Sequence, residues 1–305
     1  MVRNSGHSDC DLPSKRSFFF GLHTGITKKK YLMKSAKKNH KSNFLSKLCI
    51  YSSTRSRLLK KIAISLESKN KPLVIFTPNP EQVVLASRQK SFAKVLCQAD
   101  LAIPDGIGLI LASRLLSLVG KGEPLQERIP GVEVVENILY QAKQKNHVVM
   151  VVGGKAYTNL GYKNWQIREF SPANPVDAQQ NAASATLYWV EGYANAASPT
   201  QAEEKAVALA LTTLRPDVVF VALGAPTQEE WVIAHKKLLS DSGVRVAMVV
   251  GGAFDMLLGK VNRAPLVFRK LGLEWLFRLF QEPWRWKRQV RLLEFLKLVI
   301  REFVS

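Results

Sequence analysis

The sequence is poor in the residues that build disulfide frameworks and metal sites. Its three cysteines, Cys10, Cys49 and Cys97, are an odd number without metal-ligand spacing, and its five histidines form no HExxH or similar cluster. We therefore predict neither a disulfide scaffold nor a zinc site. This sparse use of cysteine fits a reducing cytoplasm.

Long apolar runs and lysine-bearing phosphate loops are also missing. No stretch approaches the roughly 18 consecutive apolar residues that a transmembrane helix needs. The longest early apolar run, residues 18–20, is too short for a signal peptide. Neither GxGxxG nor GxxxxGK followed by Ser or Thr occurs, so we expect no dinucleotide fingerprint and no P-loop.

Acidic residues are scarce at both ends of the chain. Residues 1–72 hold 17 Lys/Arg against 3 Asp/Glu and residues 260–305 hold 11 against 4, whereas the middle holds 16 against 17. The ends account for the net charge of +20 and indicate a polyanionic partner, either an anionic membrane or nucleic acid. We predict residues 1–70 to be a basic extension, disordered or partly helical, with a transit peptide as the weaker alternative.

Short apolar runs recur along the middle of the chain, each followed by a Gly or Pro turn and most by a helical pattern. Because the runs are continuous rather than alternating, they predict strands buried on both faces of a mainly parallel α/β sheet with flanking helices. Ligands of such sheets bind outside the carboxyl ends of the strands. We assign residues 71–262 to this core. The predicted strands span residues 73–76, 101–103, 148–152, 218–223 and 246–250.

The C-terminal segment, residues 263–305, differs from the core in composition and in the spacing of its apolar residues. Leucine, phenylalanine and tryptophan recur at helical spacing among many arginines, and Pro283 should divide the pattern into two helices. This composition is typical of a helical appendage that lies at a membrane interface. A helix packed on the core with a solvated charged face is the open alternative.

Polar side chains follow the first two predicted strands. Asp105 could accept a proton from an attacking hydroxyl, although an Asp-Gly pair is also an ordinary turn. Thr77 and Asn79 follow the first strand, and Asn79 is typical of a helix N-cap before a proline at the first helical position. These residues are therefore candidates for chemistry and for capping at once.

Groups that could hold phosphate or sugar stand in the other turns. Arg128 could pair with phosphate oxygens or be an exposed loop charge. Gln228 could bind sugar hydroxyls or a base, or be an ordinary first-turn helix residue. Glycine turns offer backbone N–H groups to a diphosphate. The glycines concerned are Gly106, Gly153, Gly154, Gly251 and Gly252.

Six weak motifs in a fixed order resemble the WecG/TagA/CpsF glycosyltransferases over roughly residues 72–290, while residues 1–70 lie outside the resemblance. The motifs are Thr77-Pro78-Asn79-Pro80-Glu81, Ala99-Asp100 with Pro104-Asp105-Gly106-Ile107-Gly108, Arg128-Ile129-Pro130-Gly131, Gly224-Ala225-Pro226-Thr227-Gln228-Glu229, Gly251-Gly252-Ala253-Phe254-Asp255, and Arg263-Ala264-Pro265 with Leu273-Glu274-Trp275 and Glu282-Pro283. Residues 171–202 depart from the family because they are rich in Ala and Asn and interrupted by one short predicted strand at 187–190.

The resemblance implies a Rossmann-like core and an inverting transfer for cell-surface polysaccharide synthesis. A sugar, often N-acetylmannosamine or its uronic acid, would pass from a UDP-sugar to a polyprenyl-diphosphate-linked acceptor, with no bound metal and no cofactor. The basic C-terminal appendage would reach an anionic membrane surface, which places the enzyme peripherally at the cytoplasmic face of the plasma membrane. A homo-oligomer is left open and no nucleic-acid partner is expected.

The resemblance also gives roles to individual residues. Asp105 matches the catalytic base, and Thr77, Arg128 and Gln228 match other active-site positions. Stabilisation of the leaving UDP would fall first to Arg128, with three C-terminal arginines as supplements: Arg263, Arg285 and Arg288. A nucleic-acid-binding protein with basic tails and a non-catalytic nucleotide-binding module remain the alternatives.

Overall fold

One central sheet organises the part of the chain that the structure describes. The computed structural model describes residues 43–68, 71–154, 157, 161–162, 165–170 and 186–305, with the backbone alone at 285 and 287–289. Residues 1–42 and 69–70 of the predicted extension lie outside the described residues. The strands are β1 Leu73–Phe76, β2 Leu101–Ala102, β3 Val149–Gly153, β4 Gly161–Tyr162, β5 Trp165–Glu169, β6 Thr186–Val190, β7 Val218–Ala222 and β8 Val246–Val249.

The sheet has the order β2–β1–β8–β7–β3–β6–β5–β4. Every described pairing is parallel except that of β4 with β5 at one edge. All residues of β3 and β8 are buried because helices cover both faces, which is why these strands read as continuous apolar runs. The predicted Rossmann-like, mainly parallel α/β fold is confirmed, and its five predicted strands are β1, β2, β3, β7 and β8.

Twelve helices are described around the sheet. They are α1 Arg55–Glu67, α2 Pro80–Arg88, α3 Lys90–Leu96, α4 Ile107–Leu118, α5 Gly131–Gln144, α6 Gln201–Leu214, α7 Thr227–Ala234, α8 Lys236–Asp241, α9 Ala253–Leu257, α10 Leu266–Lys270, α11 Glu274–Gln281 and α12 Trp286–Val304. None of them combines the length and the apolar composition needed to cross a bilayer, within the residues described.

Two strands at the end of the sheet had no counterpart in the sequence prediction. Strand β5 keeps Trp165 buried but exposes Gln166 and Glu169, so its sequence mixes charged and apolar residues as a peripheral strand can. Its neighbour β6 coincides with the short strand predicted at 187–190. Residues 171–185 of the Ala/Asn-rich passage lie outside the described residues.

Helix α1 lies before the predicted domain boundary at residue 71, but it packs into the same hydrophobic core as the residues that follow that boundary. Its side chains Leu58, Ile62 and Leu66 recur every four residues and are fully buried. They belong to the same apolar cluster as Ile75 of β1 and Ile138 of α5. The N-cap Thr54 accepts a hydrogen bond from a backbone N–H of the first turn, which starts the helix.

The C-terminal helices are divided at Pro283, as predicted. A short 3₁₀ turn at Pro283–Arg285 separates α11 from α12, because proline cannot donate the helical hydrogen bond. Helix α12 packs against α2 and α4. Its side chains Phe295 and Val299 are buried in the apolar cluster on the other face of the sheet, so one side of this helix belongs to the core.

We expect the Ile62→Ala substitution in α1 to lower the free energy of unfolding by about 2–5 kcal/mol, because it leaves a cavity in a closely packed core. The matched control is Ile64→Ala, since Ile64 lies on the same helix with 56% of its surface exposed. Chemical denaturation with urea measures both variants. Equal losses for the two variants would contradict the packing of α1 described here.

Candidate functional site

The turns at the carboxyl edge of the sheet line one cavity of about 1090 Å³. Strands β1, β2, β3, β7 and β8 all end there, so residues far apart in the sequence meet. Every predicted site residue whose side chain is described lines this cavity except Arg263. The residues brought together are Thr77, Asn79, Asp105, Gly106, Arg128, Gly153, Gly154, Gln228, Gly251 and Gly252.

The three remaining predicted residues are the C-terminal arginines. Arg263 is not among the residues that line the cavity. Its guanidinium meets Glu133 at 2.8 Å and Glu136 at 3.4 Å, both on α5, so its charge is already balanced. The side chains of Arg285 and Arg288 lie outside the described part of the structure, and their predicted role stays a prediction.

Asp105 is held by the pairing of two neighbouring turns. The backbone N–H of Ile103 donates to Phe76 O at 2.8 Å, and that of Asp105 donates to Pro78 O at 3.0 Å, so the turn after β2 is fastened to the turn after β1. Gly106 then adopts a φ of +108°, a conformation that favours glycine. The Asp105 side chain remains 36% exposed, and its open surface faces the cavity.

The surroundings of Asp105 adjust its acidity in opposite directions. Burial raises the pKa of its carboxyl to about 6, although the Arg128 guanidinium, 3.9 Å from Oδ1, lowers the pKa. The charge of Glu274 raises the pKa of Asp105, and the charge of Glu133 raises it slightly. The backbone N–H of Gly131 lowers this pKa by donating a hydrogen bond to the carboxyl. Asp105 is therefore mostly ionised at neutral pH and yet basic enough to accept a proton.

Arg128 links this carboxyl to the C-terminal helices. One of its terminal nitrogens, Nη2, donates to Glu274 Oε2 at the start of α11 and also faces Asp105. Its Nε is buried and has no hydrogen-bond partner among the described residues. The Arg128 side chain lines the cavity and is 17% exposed, so its guanidinium could bind a phosphate oxygen there.

Gly131 is a site residue that the sequence reading left out, although it belongs to one of the motifs. A Cβ at this position would lie 3.1 Å from Thr77 Cγ2 and 3.6 Å from Asp105 Oδ2. Glycine thus lets the first turn of α5 approach both side chains closely. The signal in the sequence was the Pro130-Gly131 pair at the start of a helix.

Arg278 of α11 is a second residue that lines the cavity without having been predicted for the site. Its Nη2 lies 2.7 Å from the place where a Cβ on Gly252 would stand, so the guanidinium covers the glycine turn after β8. Its Nε donates to Glu282 Oε2 at 2.7 Å, one helical turn further on. This i,i+4 pair is an ordinary helical ion pair, so the local sequence carried no signal that Arg278 belongs to the site.

Asn79, which was predicted both as a cap and as a binding residue, acts as the N-cap of α2. Its Oδ1 accepts a hydrogen bond from the backbone N–H of Gln82 at 3.1 Å, and Gln82 Oε1 accepts one from the backbone N–H of Asn79 at 3.2 Å. This reciprocal capping box occupies the side-chain oxygen of Asn79. Across the described ranges, no group of three or more His, Cys, Asp or Glu side chains is arranged to hold a metal ion.

A Glu274→Gln substitution should lower the pKa of Asp105, because it removes a negative charge and leaves Arg128 more available to Asp105. Carbon-13 NMR titration of the Asp105 carboxyl should give about 6 in the original protein and a lower value in the variant. The control Glu169→Gln, an exposed residue at the far side of the sheet, should leave this pKa unchanged. A shift in the control, or none in Glu274→Gln, would rule out this account of the site.

Residues 45–305 match the model of the glycosyl transferase WecG/TagA/CpsF family. Similar curated proteins carry the name N-acetylglucosaminyldiphosphoundecaprenol N-acetyl-beta-D-mannosaminyltransferase. The one from Bacillus spizizenii is 32% identical over 233 residues, which cover 76% of this chain and 80% of the relative. Those from Bacillus subtilis and a strain of Staphylococcus aureus are each 31% identical, over 75% and 72% of this chain and 79% and 75% of their own lengths.

Proposed function

Because the chain belongs to the WecG/TagA/CpsF family of glycosyltransferases, we propose that it transfers an N-acetylmannosamine-type sugar from a UDP-sugar to a polyprenyl-diphosphate-linked acceptor. The names of the relatives support the transferred group and the lipid-diphosphate acceptor. The UDP-sugar donor is our inference. The observation that carries the proposal is the Asp105 carboxyl, which is ionised near neutrality and opens into a cavity lined by turns suited to phosphate.

The proposed transfer is a single displacement with Asp105 as general base. Asp105 removes a proton from an acceptor hydroxyl, and the resulting oxygen attacks the anomeric carbon from the face opposite UDP. A new glycosidic bond forms as the bond from the sugar to the diphosphate oxygen breaks, and UDP leaves with the electron pair. The anomeric configuration is inverted, so one carboxylate is enough. Thr77 would help to place the acceptor hydroxyl beside Asp105.

The charge that develops on UDP needs stabilisation from the protein. The backbone N–H groups of the glycine turns and the guanidinium of Arg128, which all line the cavity, are suited to this task. Arg278, which covers Gly252, takes the place that the sequence suggested for Arg263, since Arg263 is engaged with two carboxylates on α5. Arg285 and Arg288 keep their predicted supporting role.

The alternatives receive less support. A nucleic-acid-binding function rested on the basic ends alone, and membership of a glycosyltransferase family gives those ends no such role. A nucleotide-binding module without catalysis would bind UDP and yet release none from a UDP-sugar in the presence of acceptor. Measured transfer therefore separates this reading from the proposed function.

We expect the Asp105→Asn substitution to lower turnover by about 10²–10⁴, the usual contribution of a general base. The assay follows UDP release from UDP-N-acetylmannosamine with a short-chain lipid-diphosphate N-acetylglucosamine acceptor. Asp241→Asn is the matched control, because Asp241 is an exposed aspartate of α8 that pairs with Lys237. Near-normal turnover in the Asp105 variant would exclude Asp105 as the base.

An exposed apolar surface beside the cavity supports the proposed contact with a membrane. Leu111 and Leu115 of α4 and Leu296 of α12 line the cavity and are also exposed, and further exposed apolar side chains continue outward along both helices. A lipid-linked acceptor could therefore reach the cavity directly from the inner leaflet of the plasma membrane. Among the described residues of the C-terminal segment, the most exposed aromatic side chains are Phe280, Trp284 and Trp286.

A triple variant, Phe280→Ser with Trp284→Ser and Trp286→Ser, should lose most of its co-sedimentation with anionic liposomes, because interfacial binding grows with the buried apolar area. These side chains are 71%, 68% and 59% exposed, so their replacement should leave the core intact. Tyr140→Ser on α5, an aromatic residue that is 64% exposed, is the control and should sediment as before. Unchanged sedimentation of the triple variant would contradict the membrane contact.

A further inference from the structure

Gln228 and Glu229 lie side by side and buried at the start of α7. Gln228 lines the cavity, whereas Glu229 stands behind it with no exposed surface. Each carries one buried oxygen without a hydrogen-bond partner in the described part of the chain, Oε1 of Gln228 and Oε2 of Glu229. Such atoms are rare in folded proteins, and here one of them belongs to a residue of the cavity wall.

The orientation of Gln82 follows from the capping box at the start of α2. Gln82 Oε1 accepts the backbone N–H of Asn79, so its amide nitrogen must point the other way. That nitrogen donates to Glu229 Oε1 at 2.8 Å. Glu229 Oε1 is therefore an acceptor, fixed by a helix cap that is itself part of the cavity wall.

The same oxygen determines the orientation of Gln228. Gln228 Nε2 donates to Glu229 Oε1 at 2.9 Å, and only the NH₂ end of the amide can meet an acceptor there. The carbonyl oxygen of Gln228 is consequently turned away from Glu229 and is buried without a partner among the described residues, in a side chain that lines the cavity. Its only hydrogen-bonding capacity toward a ligand at that oxygen is to accept, so the ligand must present an O–H or N–H group.

We propose that Glu229 is a positioning residue that turns the carbonyl oxygen of Gln228 toward the donor sugar, where it accepts a hydrogen bond from a hydroxyl or acetamido N–H. The identity of the ligand rests on the proposed function. The sugar is favoured over the nucleotide because the chain of amides begins at Asn79, in the turn that is hydrogen-bonded to Asp105 through Pro78. That turn lies beside the proposed base, where the anomeric carbon must be.

The proposed arrangement holds in either protonation state of Glu229. Burial raises the pKa of its carboxyl to about 7, while the Gln228 and Gln82 hydrogen bonds lower it and the charge of Glu230 raises it. Glu81 of α2, which also lines the cavity, lies 3.9 Å from Arg291 of α12. Because Oε1 accepts whether or not the group carries a proton, glutamine is a faithful replacement at this position.

Isothermal titration calorimetry of the full chain with UDP and with UDP-N-acetylmannosamine tests the proposal. Glu229→Leu should weaken the UDP-sugar about tenfold and leave UDP unchanged, as expected for one lost hydrogen bond to the sugar. Glu229→Gln should keep sugar affinity within about threefold. Glu230→Leu, which removes an exposed carboxylate one residue further on, is the matched control and should bind both ligands as before.

A double variant distinguishes positioning from general loss of structure. If Glu229 acts through Gln228, then Glu229→Leu should add no further loss to Gln228→Leu, because coupled residues are non-additive. Thermal melting monitors folding. If the leucine variant does not fold, Glu229→Asp, which withdraws the oxygen by one methylene, should show the same selective loss of sugar affinity.

Three results would overturn the proposal: equal weakening of UDP and UDP-sugar, additive losses in the double variant, or no affinity gained from the sugar in the original protein. Turnover is measured separately on the same variants. A protein that binds the sugar through Gln228 but releases no UDP would end the proposed function and leave the positioning role standing. Transfer of the sugar without any Gln228-dependent sugar affinity would leave the proposed function standing and end the positioning role.

Discussion

Parallel pairing of strands that are covered on both faces determines where this protein can hold a ligand. Such strands all end at the same edge, and their buried backbones leave only the turns beyond them open to solvent. Here five turns meet around one cavity, and two of them are joined by the hydrogen bond from Asp105 to Pro78. The position of the candidate base is thus a consequence of strand pairing rather than of its own loop.

The C-terminal helices complete the environment of that base. Glu274 reaches across to Arg128, and both charges act on Asp105 in opposite directions. Arg278 lies over the glycine turn after β8, and Phe295 packs beside Gly108 at the start of α4. The C-terminal segment, which exposes apolar side chains, therefore also contributes a charge that acts on the pKa of Asp105.

Much of the fold was readable from the sequence because buried parallel strands leave continuous apolar runs. The edge strands β4 and β5 were missed because partial exposure breaks that pattern. Helix α1 was predicted only in general terms, within an extension that is disordered or partly helical, because its buried leucines and isoleucines alternate with the lysines and arginines that dominate the local composition. Its packing depends on contacts with α5, which no local pattern records.

The location of the candidate site could be predicted from the sequence, but the contacts among its side chains could be predicted only in part. Residues that end strands, such as Asp105, could be placed at one edge by topology alone. The sequence prediction named Arg263 and not Arg278, because Arg263 meets the carboxylates of α5 only after folding. The role suggested for Glu229 likewise depends on Gln82, which lies 147 residues earlier in the chain.

The dependence of kcat/KM on pH, measured with saturating acceptor, tests the central claim most directly. If Asp105 is the base in the environment described, kcat/KM should fall about tenfold for each pH unit below a pKa of about 6 and should be level just above it. A kcat/KM that stays level from pH 5 to 8, without a loss of about one order of magnitude at the acid end, would contradict the account. A fall in kcat/KM that begins at the same pH after Asp105 is replaced would contradict it as well.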